Sequence, residues 1–209
     1  EIKDVKEITN SHTPEVITYH IKKTWNDFDN QEGVRPNSII VRVFKGEEEV
    51  TWTEVTGPDW EYTFTLPKYT DGVLNQYTIL EDEVPLYITP EIEQNETEEE
   101  TKKLSTDIFN NLDTTQFTVD ITVHKVWKDD DNKYNVRPQS ITVVLYADGD
   151  AIEKAILSKE NSWTYTWEGL PKYPEGTEDG VPIEYTVEEE KVDNYKATIT
   201  GSIDEGFTI

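Results

Sequence analysis

The sequence predicts an all-β protein built as two tandem β-sandwiches, and three observations carry that prediction. The first is an internal repeat. Trp25-Asn-Asp-Phe-Asp-Asn-Gln-Glu-Gly-Val-Arg-Pro36 matches Trp127-Lys-Asp-Asp-Asp-Asn-Lys-Tyr-Asn-Val-Arg-Pro138, with the same Trp-to-Pro spacing. The match continues through Ser38–Phe44 with Ser140–Tyr146, Trp60–Tyr69 with Trp163–Tyr173, and Tyr77–Glu81 with Tyr185–Glu189. The second is strict alternation of apolar and polar residues in short runs rich in β-branched and aromatic side chains. The third is turn punctuation between those runs, as at Gly57-Pro58, Asp71-Gly72, Asp148-Gly149 and Asp179-Gly180. Units of ~100 residues made of short, regularly spaced strands are the signature of sandwiches.

Each unit yields its strands in order. Ile17, Tyr19, Ile21, Lys23 and Trp25 share one face of the first strand, followed by runs at 39–44, 60–66 and 77–81. A closing strand places Ile108, Asn110 and Leu112 on one face. The second unit repeats this with Val119, Ile121, Val123, Lys125 and Trp127, then 140–146, a run from Trp163, Ile183–Glu189 and 206–209. Residues 91–103 carry too much charge for a strand and are predicted to form an exposed loop, with room for one helical turn. Asn95-Glu-Thr97 there matches a glycosylation sequon, a weak signal. The predicted organisation is residues 1–13 as the closing strand of a preceding repeat, 14–113 as the first sandwich, and 114–209 as the second with its closing strand cut short.

Composition excludes several function classes. With 44 acidic and 19 basic residues the net charge is −25, which opposes any nucleic-acid or anionic-membrane surface. Absence of Cys removes disulfides, thiol nucleophiles and cysteine-bound metals. No apolar run reaches the ~20 residues a membrane-spanning helix needs. The acidic turn Asp129-Asp130-Asp131-Asn132, echoed by Asp27 and Asp29, lacks the spacing of a calcium loop and reads as a solvated turn. His12, His20 and His124 do not occupy equivalent repeat positions, so no metal site or triad is expected. A tandem of small sandwiches offers no cleft for a facing acid pair, so glycoside hydrolysis is set aside.

The alternation also points charged groups inward. Lys23 and Lys125 lie in phase with the core, and so do Glu81 and Glu189. Asn110 faces the same way in the closing strand, with Asn111 beside it as the alternative amide, and Asn10 follows Ile8 in the amino-terminal segment. Unpaired lysines are almost never fully buried, because desolvating the ammonium is costly. Burial disfavours both charged forms, giving a neutral amine and a protonated carboxyl. Such an amine can attack the Asn carboxamide carbon with the acid relaying protons, and the product is an isopeptide bond between first and last strands. The blander reading is a buried ion pair beside a hydrogen-bonded Asn. Its occurrence twice in a Cys-free repeat favours the bond.

The wording of residues 125–189, Lys-Val-Trp-Lys-Asp-Asp-Asp-Asn…Val-Arg-Pro…Trp-Thr-Tyr-Thr-Trp-Glu-Gly-Leu-Pro-Lys-Tyr…Tyr-Thr-Val-Glu-Glu, resembles the Cna protein B-type repeat, and unit one resembles it more loosely. That resemblance implies inverse immunoglobulin-like sandwiches in the stalks of Gram-positive cell-wall-anchored adhesins and pilins, extracellular and without enzymatic turnover or cofactors. It implies Lys–Asn isopeptide bonds, with the lysine at Lys23 and Lys125 and the acid at Glu81 and Glu189. The asparagine falls at Asn110, and at Asn10 for a preceding repeat. The expected partners are neighbouring repeats of the same polypeptide. The alternative function is that the repeats themselves dock a host matrix or cell-surface protein. Unit two has no Asn of its own at the closing position, so head-to-tail complementation by residues 5–12 of another copy is a further expectation.

Overall fold

The computed structural model describes residues 13–96 and 103–209. The chain divides between Asp113 and Thr114 into two compact units, each an immunoglobulin-like sandwich of strands.

Unit one contains β1 (Val16–Asn26), β2 (Ser38–Lys45), β3 (Glu48–Thr56), β4 (Glu61–Pro67), a small hairpin of β5 (Tyr69–Thr70) and β6 (Val73–Leu74), β7 (Thr78–Glu81), β8 (Glu91–Glu96) and β9 (Lys103–Asn111). One sheet has the order β4-β1-β9-β8 and the other β3-β2-β7. First and last strands lie side by side: β1 pairs β9 in parallel, with Lys23 opposite Ile108 and Trp25 opposite Asn110. Period-two alternation buries Tyr19, Ile21 and Lys23 from β1, Val41 and Val43 from β2, Ile79 from β7, and Ile108 and Asn110 from β9. Glu81, opposite Val41 on β2, projects from the second sheet toward the same core.

Residues 91–96 correct the loop predicted there. They form β8, antiparallel to β9 from Glu91↔Phe109 to Glu96↔Leu104. An edge strand pairs through its backbone on one side only, so it needs no apolar face, and charged side chains keep a free edge from pairing with other chains. Ile92, opposite Ile108, is the half-buried residue of the stretch. Residues 97–102, the side chains of Asn95, Glu96 and Lys103, and the proposed closing strand at 1–13 with Asn10 fall outside the described residues, apart from exposed Thr13.

Unit two contains β10 (Thr118–His124), β11 (Ser140–Ala147), β12 (Asp150–Ser158), β13 (Thr164–Pro171), β14 (Tyr185–Glu189), β15 (Thr200–Ser202) and β16 (Gly206–Thr208). Its sheets are β13-β10-β16-β15 and β12-β11-β14. The core gathers Ile121, Val123, Val143, Leu145, Leu157, Trp167, Val187 and Phe207. The β15–β16 hairpin requires glycine at position 201: its φ is +102°, and a Cβ there would stand 2.0 Å from the Gly206 carbonyl oxygen.

Candidate functional site

In unit one the two inward strands and the facing sheet bring Lys23, Glu81 and Asn110 together. Lys23 Nζ lies 3.8 Å from Glu81 Oε1, and both side chains are fully buried. Asn110 is also fully buried. It stands one alternation beyond Ile108, the residue opposite Lys23, so it is a diagonal neighbour on the same face and within reach of a long side chain. Asn111 points the other way and accepts a hydrogen bond from Asn26 Nδ2 at 2.8 Å. The alternation therefore selects Asn110 over Asn111 as the amide facing the lysine.

The electrostatics follow from burial. Desolvation lowers the Lys23 ammonium to about 8, against the opposing pull of the Glu81 and Asp27 carboxylates. Desolvation likewise raises the Glu81 carboxyl, with Lys23 and Asn110 acting in the opposite sense. Asn110 is thus close enough to influence Glu81, yet neither Glu81 oxygen nor either polar atom of the Asn110 carboxamide makes a hydrogen bond of ordinary geometry. Lys23 Nζ donates to the Thr24 carbonyl at 3.2 Å. Buried polar atoms without partners are rare and each costs about 1–3 kcal/mol. Four of them converge beside one amine.

Unit two repeats the lysine and the acid. Lys125 Nζ is 2.6 Å from Glu189 Oε1, with side chains 5% and 2% exposed. Ile209 exchanges backbone hydrogen bonds with His124 and Val126, which places it opposite Lys125 as Ile108 is opposite Lys23. The position equivalent to Asn110 lies two residues past Ile209. A groove of about 250 Å³ lined by Lys125, Trp127, Tyr195, Thr198, Thr208 and Ile209 lies beside this lysine. In unit one the chain continues past Asn110 through Asn111 and Leu112, whose backbones bond to Ile88 and Asn26.

Above each lysine sits a cluster that the sequence reading did not assign. Asp27 is 1% exposed, not solvated as predicted for this turn. Arg35 grips it with two donors, Nε to Oδ2 at 2.8 Å and Nη2 to Oδ1. Tyr87 donates its hydroxyl to Oδ2 at 2.8 Å, and the Asn30 backbone N–H donates to Oδ1 at 3.0 Å. Asp129, Arg137, Tyr195 and Asn132 reproduce the arrangement in unit two. The remaining acids of these turns, Asp29, Asp130 and Asp131, do face solvent. Three consecutive residues in each turn, Phe28–Asn30 and Asp130–Asn132, are left-handed with φ between +52° and +62°, a conformation L residues adopt singly and at a cost. The signal was present: Trp, Asp, Asn and Arg keep their spacing in both copies. An Arg eight residues beyond its Asp is a partner that local charge counting overlooks.

Known proteins resemble this chain in sequence. The family model for the Cna protein B-type domain matches residues 19–111 and 121–209. A collagen adhesin of Staphylococcus aureus is 37% identical over 195 residues, which take in 90% of this chain and 15% of that protein. Among solved structures, a single B repeat unit of the S. aureus collagen-binding surface protein is 32% identical, covering 93% of this chain and 97% of that one at a TM-score of 0.40. A structure of two such units is also 32% identical, covering 95% of this chain and 49% of that one, again at 0.40. The chain belongs to the Cna protein B-type domain family.

Proposed function

We propose that this chain is a structural segment of a bacterial surface stalk, extracellular and tethered to a Gram-positive cell wall. Each sandwich of that stalk is closed by a self-formed Lys–Asn isopeptide bond. The observation that carries the reading is the convergence of Lys23, Glu81 and Asn110 in a sealed core with four polar atoms lacking hydrogen bonds. Kinship with an adhesin's repeats supports the stalk role.

The chemistry is a single turnover. Lys23, as the neutral amine, attacks Asn110 Cγ. The protonated Glu81 polarises the carboxamide, then passes a proton from Nζ to the departing nitrogen. The Cγ–Nδ2 bond breaks, the Nζ–Cγ amide forms, and ammonia leaves. Fixed geometry supplies most of the acceleration, as oriented intramolecular reactions reach effective molarities of ~10⁵–10⁸ M. The amide joins two adjacent strands at opposite ends of the unit's sequence, so pulling force and proteases meet a covalent clasp where a Cys-free protein has no disulfide.

Lys23 and Glu81 share one proton in the reactive state, so linking of freshly refolded chain should follow a bell-shaped pH profile. The alkaline limb should lie near pH 8, where Lys23 loses the shared proton. The acid limb should reflect the raised Glu81 carboxyl. Quenched-flow refolding read by intact mass measures it, and a rate independent of pH would contradict the acid–amine pair.

Among the described residues unit one is the unit with an amide opposite its lysine, so the 209-residue chain should lose one ammonia. A chain extended past Ile209 by two residues, the second an asparagine, should lose two. Intact mass distinguishes these outcomes. An extended chain that still lost only one would show that Lys125 and Glu189 do not form a reactive pair.

A further inference from the structure

In both units the amine lies on an indole that also carries a second cation. Lys23 Nζ is 4.2 Å from the Trp25 ring centroid and Arg35 Cζ is 5.8 Å from it. For Lys125 and Arg137 over Trp127 the distances are 4.6 and 5.4 Å. The indole is itself pinned edge-on, by Trp60 at 5.1 Å and Tyr87 at 4.9 Å in unit one, and by Trp163 and Tyr195 at the same distances in unit two. Two cations on one ring repel unless one is neutralised, and Asp27 or Asp129 neutralises the arginine through two hydrogen bonds. The turn residues between these groups differ freely between the units: Phe28 becomes Asp130, Gln31 becomes Lys133, and Gly33 becomes Asn135. The Trp, Asp and Arg that build the contact with the lysine are the same in both units.

We propose that this cluster is the seat of the reacting amine. Trp25 and Trp127 act as positioning residues that fix Nζ against the glutamate, and the Asp–Arg pair sets the electric field in which the amine gives up its proton. The inference rests on the cross-linking reading and assigns a role within it to residues outside the Lys–Glu–Asn set, Trp25 being the register partner of Asn110. The titratable and charged groups around Lys23 are Glu81 from β7 with Asp82 adjoining it, Tyr87 beyond β7, and Asp27 and Arg35 from the turn after β1. Asp27 lies close enough to favour the protonated lysine. Removing its charge must therefore ease proton loss from the Lys23–Glu81 pair and hinder proton gain, so both limbs of the pH profile move the same way.

The test uses full-length chain recovered unlinked from denaturant-solubilised inclusion bodies, refolded across a pH series and followed by intact mass. Trp25→Leu should slow linking roughly ten-fold at every pH, while Trp25→Phe, which keeps a ring, should lose far less. The variant Asp27→Asn, which keeps a polar partner for Arg35 and removes the negative charge, should shift the whole profile to lower pH. A linking rate for Trp25→Leu within two-fold of the parent would overturn the positioning role. So would an Asp27→Asn variant whose melting temperature fell while its pH profile stayed in place, since that is what a purely structural cluster gives. The field can also be read without any bond forming. In the unlinkable Glu81→Gln background, the Lys23 amine followed by ¹⁵N NMR should titrate at lower pH once Asp27→Asn is added, and an unchanged midpoint would refute the inference even if the parent chain cross-links normally.

Discussion

Glu81→Gln should give a chain of full sequence mass whose first unit melts on the order of 20 °C below the parent. The substitution keeps a hydrogen-bonding side chain of the same size and removes the proton relay. Without the Lys23–Asn110 bond, the unfolded unit regains the freedom of a loop of roughly 90 residues, worth about 4–5 kcal/mol by the chain-entropy argument for cross-links. In a unit of this size 1 kcal/mol corresponds to ~4–8 °C. Asn110→Ala should reproduce the loss, and the double variant should melt close to the singles because both remove one and the same bond. Differential scanning calorimetry with intact mass on each sample decides it. A melting temperature that did not move would mean the sandwich is held by its core alone.

Arg35→Ala should be the most damaging single change outside the cross-link. It leaves the Asp27 carboxylate, 1% exposed, without its counter-ion, and stripping the partner from a buried charge costs roughly 3–5 kcal/mol. In an Asn110→Ala background, urea midpoints should fall accordingly. The pH dependence carries a sign. Burial pushes the Asp27 carboxyl up, but the hydrogen bonds from Arg35, Tyr87 and the Asn30 amide outweigh it, so the folded carboxyl lies below its unfolded value. Stability from this group is therefore fully present above the unfolded carboxylate range and is lost as pH falls through the depressed folded value. Acid should erode Arg35-bearing protein more steeply than Arg35→Ala, and parallel slopes would show that Asp27 is not the responsible group.

How much of this was legible in the sequence follows from where each interaction lives. Period-two alternation is a local property, and it was enough to turn Lys23, Glu81 and Asn110 inward and to pair each with its repeat equivalent where one exists. Whether those three meet depends on the parallel pairing of β1 with β9 and on Glu81 crossing from the other sheet, which only the fold supplies. The edge strand β8 escaped because its stability comes from backbone pairing with β9 rather than from its own composition. Asp27 was misjudged for the opposite reason: four consecutive acidic or amide residues in the second copy look solvated, but the first of them folds inward onto an arginine and a tyrosine. Tyr87 lies 60 positions from Asp27, and no spacing rule links the two.

The central claim is tested most directly by locating the bond. Proteolysis of the denatured wild-type chain, followed by fragmentation mass spectrometry, should yield one branched product joining the peptide that contains Lys23 to the peptide that contains Asn110, lighter than their sum by one ammonia. Recovery of both peptides separately at full mass, or a branch point at Asn111, would contradict the account.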